Sequence, residues 1–385
     1  MTQYIESVFR TSLREAAGGM QHRFIDPGAG YRDLCWDWDA YFCAVGLRPW
    51  AQDVGPYLQG CLLNFLDAMG EDGSVPYCLN ARVPADAPRR QNRPAGSPAN
   101  TIKPLLAQMA LLAADYLDDR SWLGEVYPSL VRYLAHWDQT QLSQLGLFVF
   151  RSHRGSGADN HPAVYGRPLD SSADVFLNSL MSLEYQAMAE IAGATGRADD
   201  AAAWLEKRAR LAETMQQMWD PIDGMFYNLD VQRRPIANTH QPITWAVPLK
   251  FRCWTSFTPM WAGIATAEQA RRLVREHLTC PEEFSSGHGL RSMAKTEPAY
   301  CTFAGSNPSN WQGPVWVVSN YIVHQGLIAF GYAEQAAQLA RNLLDTLAAD
   351  IRAHGCLHEY YHPESGAGLT HPGFVNWNTL ACLMD

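Results

Sequence analysis

The sequence predicts an all-α fold, an (α/α)6 barrel, and three observations carry the prediction. Apolar residues recur at three- and four-residue spacing over most of the chain, the period of an amphipathic helix. Helix starts come at near-equal intervals. Asp200-Ala201-Ala202, Glu268-Gln269-Ala270 and Glu334-Gln335-Ala336 each put an acidic residue at the positive end of a helix dipole. Strand-like alternation is weak and short, as in 146-GLFVFR and 224-GMFYNL. A helix pair with its loop, repeated about six times and closed into a ring, gives the barrel.

Taken in order, helices are expected over 3–17, 38–48, 51–69, 104–117, 121–138, 173–193, 197–218, 241–250, 266–278, 313–330, 333–350 and 374–384. Those at 38–48 and 241–250 are the short ones. Gly313-Pro314 opens the helix after 312, with Pro314 expected near its first position, where a missing N–H costs nothing. The loops at 22–39, 84–103, 150–172, 281–312 and 354–373 are long and rich in Gly, Pro, Trp, Tyr, His and Asn. Long loops in a compact fold are more often functional than idle. In a ring of helix pairs, the loops at one end converge on its mouth. No segment is low-complexity and no Ser/Gly linker divides the chain, so residues 1–385 are expected to form one barrel domain.

Composition narrows the function. The chain is 47% apolar and 18% charged, an ordinary globular balance, and its net charge of −9 argues against nucleic acid or an anionic membrane as partner. Its nine cysteines form no CxxC pair and sit mostly in apolar stretches, which reads as buried thiols rather than a disulfide framework or a zinc site. There is no HExxH among the twelve histidines, and His358, His362 and His371 have no second ligand group behind them, so no metal or other cofactor is expected. No apolar h-region opens the chain, and no stretch reaches the ~18 apolar residues that span a bilayer. A cytoplasmic protein is expected.

Four constellations could carry chemistry. In 35-CWDWDAYFCAVGL, Trp36, Asp37, Trp38 and Asp39 stand together before a helix; Trp faces stack on sugar C–H surfaces and Asp accepts from sugar hydroxyls. One Asp could equally be a helix cap, and the Trp side chains core. In 155-GSGADNHP, Asp159 follows Gly157 and precedes the Asn160-His161-Pro162 turn, either a plain turn or a loop whose glycine admits a ligand. In 354-HGCLHEYYHPESGAGL, Glu359 lies among His358, Tyr360, Tyr361 and His362, surroundings that can desolvate a carboxylate or hold a base in place. In 310-NWQGPVWVVSNY, Trp311 and Trp316 flank Gly-Pro, as packing or as a sugar wall.

In this order the four segments resemble glycoside hydrolase family 63, near its bacterial mannosylglycerate and glucosylglycerate hydrolases. Trp36-Asp37-Trp38-Asp39-Ala40-Tyr41-Phe42-Cys43-Ala44 is similar to a WxWDSCFHA motif, and Ser156-Gly157-Ala158-Asp159-Asn160-His161-Pro162 to SGxDNSP. Asn310-Trp311-Gln312-Gly313-Pro314-Val315-Trp316 is similar to NWRGPVW, and Glu359 through Gly366 to EYYDPETG. The resemblance runs from about residue 30 to the C-terminus. It implies Asp159 as general acid, Glu359 as general base and Asp39 as a ligand of hydroxyls in the sugar subsite. Gln312 replaces an Arg of the family, His161 a Ser, and Ile102-Lys103-Pro104 a Gln-Pro-Pro segment.

The expected substrate is a small carbohydrate, an α-glucoside or α-mannoside, with glycerate conjugates among the candidates. Trp36, Asp37, Trp38, Asp39, Lys103, Gly157, Asn160, His161, Trp311, Gln312, Tyr360 and Trp377 are the expected substrate-binding residues. A basic cluster of Arg89, Arg90, Arg93 and Lys103, with His153 and Arg154, suits an anionic aglycone; a solvated loop is the plainer reading. Sugar epimerases that use histidine pairs on the same kind of barrel, and catalytically inert sugar-binding proteins, are the alternatives.

Overall fold

The structure is a computed structural model and describes residues 1–84, 99–232, 244–303 and 308–384. Its helices are α1 (Thr2–Val8), α2 (Asp37–Gly46), α3 (Ala51–Asp67), α4 (Leu106–Leu117), α5 (Leu123–Thr140), α6 (His153–Ser156), α7 (Val175–Ala194), α8 (Ala198–Thr214), α9 (Thr258–Trp261), α10 (Ala267–Arg272), α11 (Val317–Ala329) and α12 (Ala333–His354). A 3-10 helix, Asn376–Leu383, ends the described chain.

Burial sorts these helices into two rings. Nearly every residue of α2, α7 and α11 is buried, so these helices contact protein on all sides. In α8 only Trp204 and Leu211 are buried, and α12 shows one apolar stripe from Ala336 to Leu347. The former are inner helices and the latter outer ones. Around the inner ring Asn376–Leu383 packs on α2 and α11, α11 on α9, α9 on α7, and α7 on α4. Tyr116 of α4 donates to the Ala44 carbonyl of α2 and closes the circle. Outer helices α3, α8 and α12 lie against α4, α7 and α11. The result is an (α/α)6 barrel.

Polar ties lock the helix ends. Asp174 caps α7 through the amide of Leu177, and Thr266 with Gln269 forms a capping box on α10. The start of α4 has no cap of its own. Instead Glu184 of α7 accepts from the amides of Ala107 and Gln108, at 2.7 and 3.2 Å.

Several expected elements differ. The first helix stops at Val8, because Leu13–Arg14 turns away to pair with Phe24–Ile25. Residues 246–249 of the expected helix 241–250 form a strand, Ala246–Leu249, at the edge of a four-stranded antiparallel sheet beside Asn228–Val231; residues 241–243 lie outside the described residues. Pro314 is not at a helix start. Gly313 has φ +150 and Val315 pairs with Arg291 and Tyr361, which keeps the chain extended until α11 begins at Val317. The helix after Ala267 passes into a π-helical turn, Leu273–Leu278, and 376–383 is 3-10 rather than α. All nine cysteines are free thiols. Among the described residues no helix is long and apolar enough to cross a membrane.

Candidate active site

The site is built where four segments meet at one end of the barrel, and Glu359 is its most constrained member. After α12 the chain turns at Gly355, in the left-handed conformation, and runs back as a hairpin. The amide of Glu359 donates to Thr370 O at 3.0 Å and that of Leu369 to Tyr360 O at 2.9 Å. Tyr361 and Val315 exchange two backbone bonds, so the hairpin is stitched to the 310–316 segment. Beneath it Asp350 accepts from the His358 amide at 3.0 Å, the Tyr361 hydroxyl at 2.9 Å, and the Nδ1 atoms of His354 and His358. Burial pushes the Asp350 carboxyl up, but bonds from His358, His354 and Tyr361 outweigh this and hold it below the usual range. Among the described residues Asp350, His354 and His358 are the group whose donor atoms lie close enough together to suit a metal ion, though each donor already has a hydrogen-bond partner.

Both oxygens of the Glu359 carboxylate are engaged. The Tyr31 hydroxyl donates to Oε1 at 3.3 Å, and Nδ1 of His371 lies 2.5 Å from Oε2. Glu359 is only 3% exposed. Burial raises its pKa, His371 and Tyr31 pull it back, and the Asp159 charge adds to the rise. The net direction is upward.

Asp159 sits in a different setting. It is half-buried, in the turn that follows α6 and Gly157. Gly157 has φ +76, and a Cβ there would come within 2.7 Å of the Trp38 ring, so only glycine fits. The loop is anchored by the next residue. The Asn160 side chain donates to Asn310 Oδ1 at 2.9 Å and accepts from the Trp311 amide at 2.7 Å, while its carbonyl accepts from Gln312 Nε2 at 2.9 Å. The Asp159 charge acts on Glu359, Tyr31, Tyr77 and His153, so it lies in their neighbourhood.

Between the two lies an aromatic and acidic floor. Trp311 and Trp316 are parallel with centroids 4.0 Å apart; Trp38, Trp377 and Tyr360 close around them. Asp39 is buried, accepts from Asn376 Nδ2, and has its pKa pushed up to about 8 by burial and by neighbouring Asp37. Asp37 is paired with Lys103 at 3.1 Å in a fully buried ion pair, and Lys103 Nζ stands 4.9 Å over the Trp38 ring.

Of the expected substrate-binding residues, several are turned inward. Asp37 and Lys103 satisfy each other, and Asp37 also accepts the amides of Trp38 and Lys103. His161 is 2% exposed against Thr255, and Gln312 ties two loops together. Trp311, Trp38 and Tyr360 are buried floor rather than open wall. The physical reason is common to all: a ring of loops must fill its own centre before it can present a pocket. Trp36 is half-buried, and among the described residues the indole N–H groups of Trp36 and Trp377 are buried with no hydrogen-bond partner. Arg89, Arg90 and Arg93 lie outside the described residues. Tyr31, Asp350 and Asn376 join the site unexpected, and Asn310 and His371, though named in the sequence, had no site role assigned. Tyr31 and His371 carried no motif, and only the pairing of 359 with 370 brings His371 to Glu359.

Comparison with known proteins gives the family and the likeness of fold. The family described as the mannosylglycerate hydrolase MGH1-like glycoside hydrolase domain matches residues 32–377. Mannosylglycerate hydrolase MGH1 of Selaginella moellendorffii is 23% identical over 269 residues, covering 68% of this chain and 49% of that protein. A probable mannosyl-oligosaccharide glucosidase of Schizosaccharomyces pombe is 23% identical over 297 residues, covering 67% and 34%. The chain thus spans about half the length of these curated relatives or less. The crystal structure of a GH63 mannosylglycerate hydrolase from Thermus thermophilus in complex with glucose has a TM-score of 0.74 at 21% identity, covering 100% of this chain and 98% of that one, a likeness of fold. With the family matched across most of its length, the chain belongs to the mannosylglycerate hydrolase MGH1-like glycoside hydrolases.

Proposed function

We propose that this chain, as one catalytic barrel over residues 1–385, hydrolyses an α-mannoside or α-glucoside with inversion at the anomeric carbon. Asp159 is the general acid and Glu359 the general base. The observation that carries the reading is the Glu359 carboxylate, buried and held on both oxygens, facing the same mouth as the half-buried Asp159.

Each step uses a different environment. Asp159 protonates the glycosidic oxygen as the bond breaks, and its half-exposed turn leaves room for the departing group. Glu359 takes a proton from a water that attacks the opposite face of the sugar, and its fixed oxygens aim that water. An inverting pair needs about 6.5–9.5 Å between carboxyls to admit the water. Asp39, with Trp36 and Trp377, meets the hydroxyls of the bound sugar. The names of the relatives favour mannosyl and glucosyl substrates.

The test is a screen of α-mannosides and α-glucosides, glycerate conjugates included, with product anomers followed by NMR. Inversion on one of these substrates is expected. A retained anomer would make Glu359 a nucleophile, and epimerised free sugar without hydrolysis would replace the reading altogether.

A further inference from the structure

On the reading that Glu359 is the general base, we propose that His371 is its positioning partner: the imidazole fixes the carboxylate in one orientation and keeps it in the charged form that can accept a proton from water.

The pair is close and unequal. Nδ1 of His371 stands 2.5 Å from Oε2, whereas the Tyr31 hydroxyl reaches Oε1 at 3.3 Å. The shorter contact governs how the carboxylate is turned, and Oε1 keeps lone-pair capacity toward the mouth. The ring is itself confined on several sides. His371 holds φ +45, a left-handed conformation uncommon outside glycine, immediately before Pro372. Tyr31 packs edge-on at 5.0 Å. Gly30 lies against the opposite part of the imidazole, and a Cβ at that position would sit 3.1 Å from His371 Cδ2. The backbone bond from Glu359 to Thr370 places the two residues side by side.

The surroundings explain why such a partner is needed. Burial favours the neutral acid. Tyr31, Tyr360, Asp39 and Asp159 also face Glu359, and each is either neutral or negative. Lys103 is tied to Asp37. His371 can bring a positive charge, and its own proton affinity is raised chiefly by its bond to Glu359. It remains 26% exposed at the side chain, so it exchanges protons with solvent, whereas the Glu359 side chain is only 4% exposed. Without it, only the bond from Tyr31 opposes burial and the neighbouring acids, and Glu359 would keep its proton to higher pH.

The experiment measures kcat and KM against pH for wild type, His371→Ala and His371→Asn, with Glu359→Gln as control and thermal melts to verify folding. His371→Ala is expected to lower kcat by about 10–100-fold near neutrality, with KM within about threefold, and to move the acidic limb of the kcat profile upward by about one pH unit. Asparagine can still donate to Oε2 but carries no charge. His371→Asn should therefore recover the melting temperature and part of kcat at high pH, while its acidic limb stays shifted. An acidic limb unmoved in both variants, or full recovery in His371→Asn with no shift, would reduce His371 to packing and overturn the proposal. Activity retained in Glu359→Gln would instead remove the base assignment itself.

Discussion

The two arms of the site are built on opposite plans. The arm with Glu359 is a hairpin pinned from below by Asp350, from the side by Val315 and at the carboxylate by Tyr31 and His371. The arm with Asp159 is a turn held by its neighbour Asn160, with the carboxyl half-buried near the surface of the mouth. Tyr31 and His371 hold the Glu359 carboxylate in one arm, and Asn160 ties down the backbone beside Asp159 in the other. On the proposed roles, that contrast suits a base that aims a small water and an acid that follows a leaving group as it departs.

The largest effect should come from removing either proton-transfer group. Asp159→Asn and Glu359→Gln are each expected to lose about 10³-fold or more in kcat while remaining folded, read by steady-state kinetics and circular dichroism. Near-wild-type turnover in either variant would break the comparison at its root. Asn160→Ala tests whether the acid arm is held through that residue. It cuts both side-chain bonds to the 310–311 segment, and kcat should fall about 10–100-fold, the melting temperature little. An unchanged kcat would mean that Asp159 is positioned independently.

Asp350→Asn tests the base arm and should show mainly in stability, at about 2 kcal/mol by chemical denaturation. The Asp350 carboxyl titrates lower in the folded chain than in the unfolded one, so its contribution is present above the ordinary carboxylate range and is lost as pH falls through the folded value. The gap between wild type and Asp350→Asn should therefore close in acid; a constant gap would remove the ionic part of the account. The last change expected is a gain. Asp39 holds its proton up to about pH 8 when folded, whereas the unfolded chain releases it near pH 4, so stability falls as pH rises through that window. Asp39→Asn should add ~2 kcal/mol at pH 8 and less at pH 5, at the expense of activity. No gain at pH 8 would show that Asp39 carries no buried-charge penalty.

Much of the barrel was legible in the sequence, because a helix buried all round or along one stripe leaves its period in the residues. Apolar α2, α7 and α11 and the Ala-rich starts of α8, α10 and α12 illustrate this. The failures have local causes. Trp245, Ala246 and Val247 form an apolar run that reads as helix, yet all three are exposed and Ala246 and Val247 begin an edge strand, where sheet pairing overrides propensity. Pro314 precedes an extended residue whose bridge partners, Arg291 and Tyr361, are distant in sequence. In the site, motif residues marked the right segments, but sequence could not separate side chains facing a ligand from those facing each other. Lys103 and Asp37 have the chemistry of a sugar site and neutralise one another. His371 had the chemistry and no motif.

The inner ring closes between α2 and Asn376–Leu383, and this has a kinetic consequence. Asn376 donates to Asp39 across 337 positions and Thr379 to the Cys43 carbonyl across 336. These are among the most non-local contacts a chain of this size can make, and loop-closure entropy must be met before they form. During synthesis, then, α2 waits with its apolar face and its buried acids unpartnered until the last inner helix leaves the ribosome. The slow step of folding should be this closure, and the active site should be the last part of the molecule to exist.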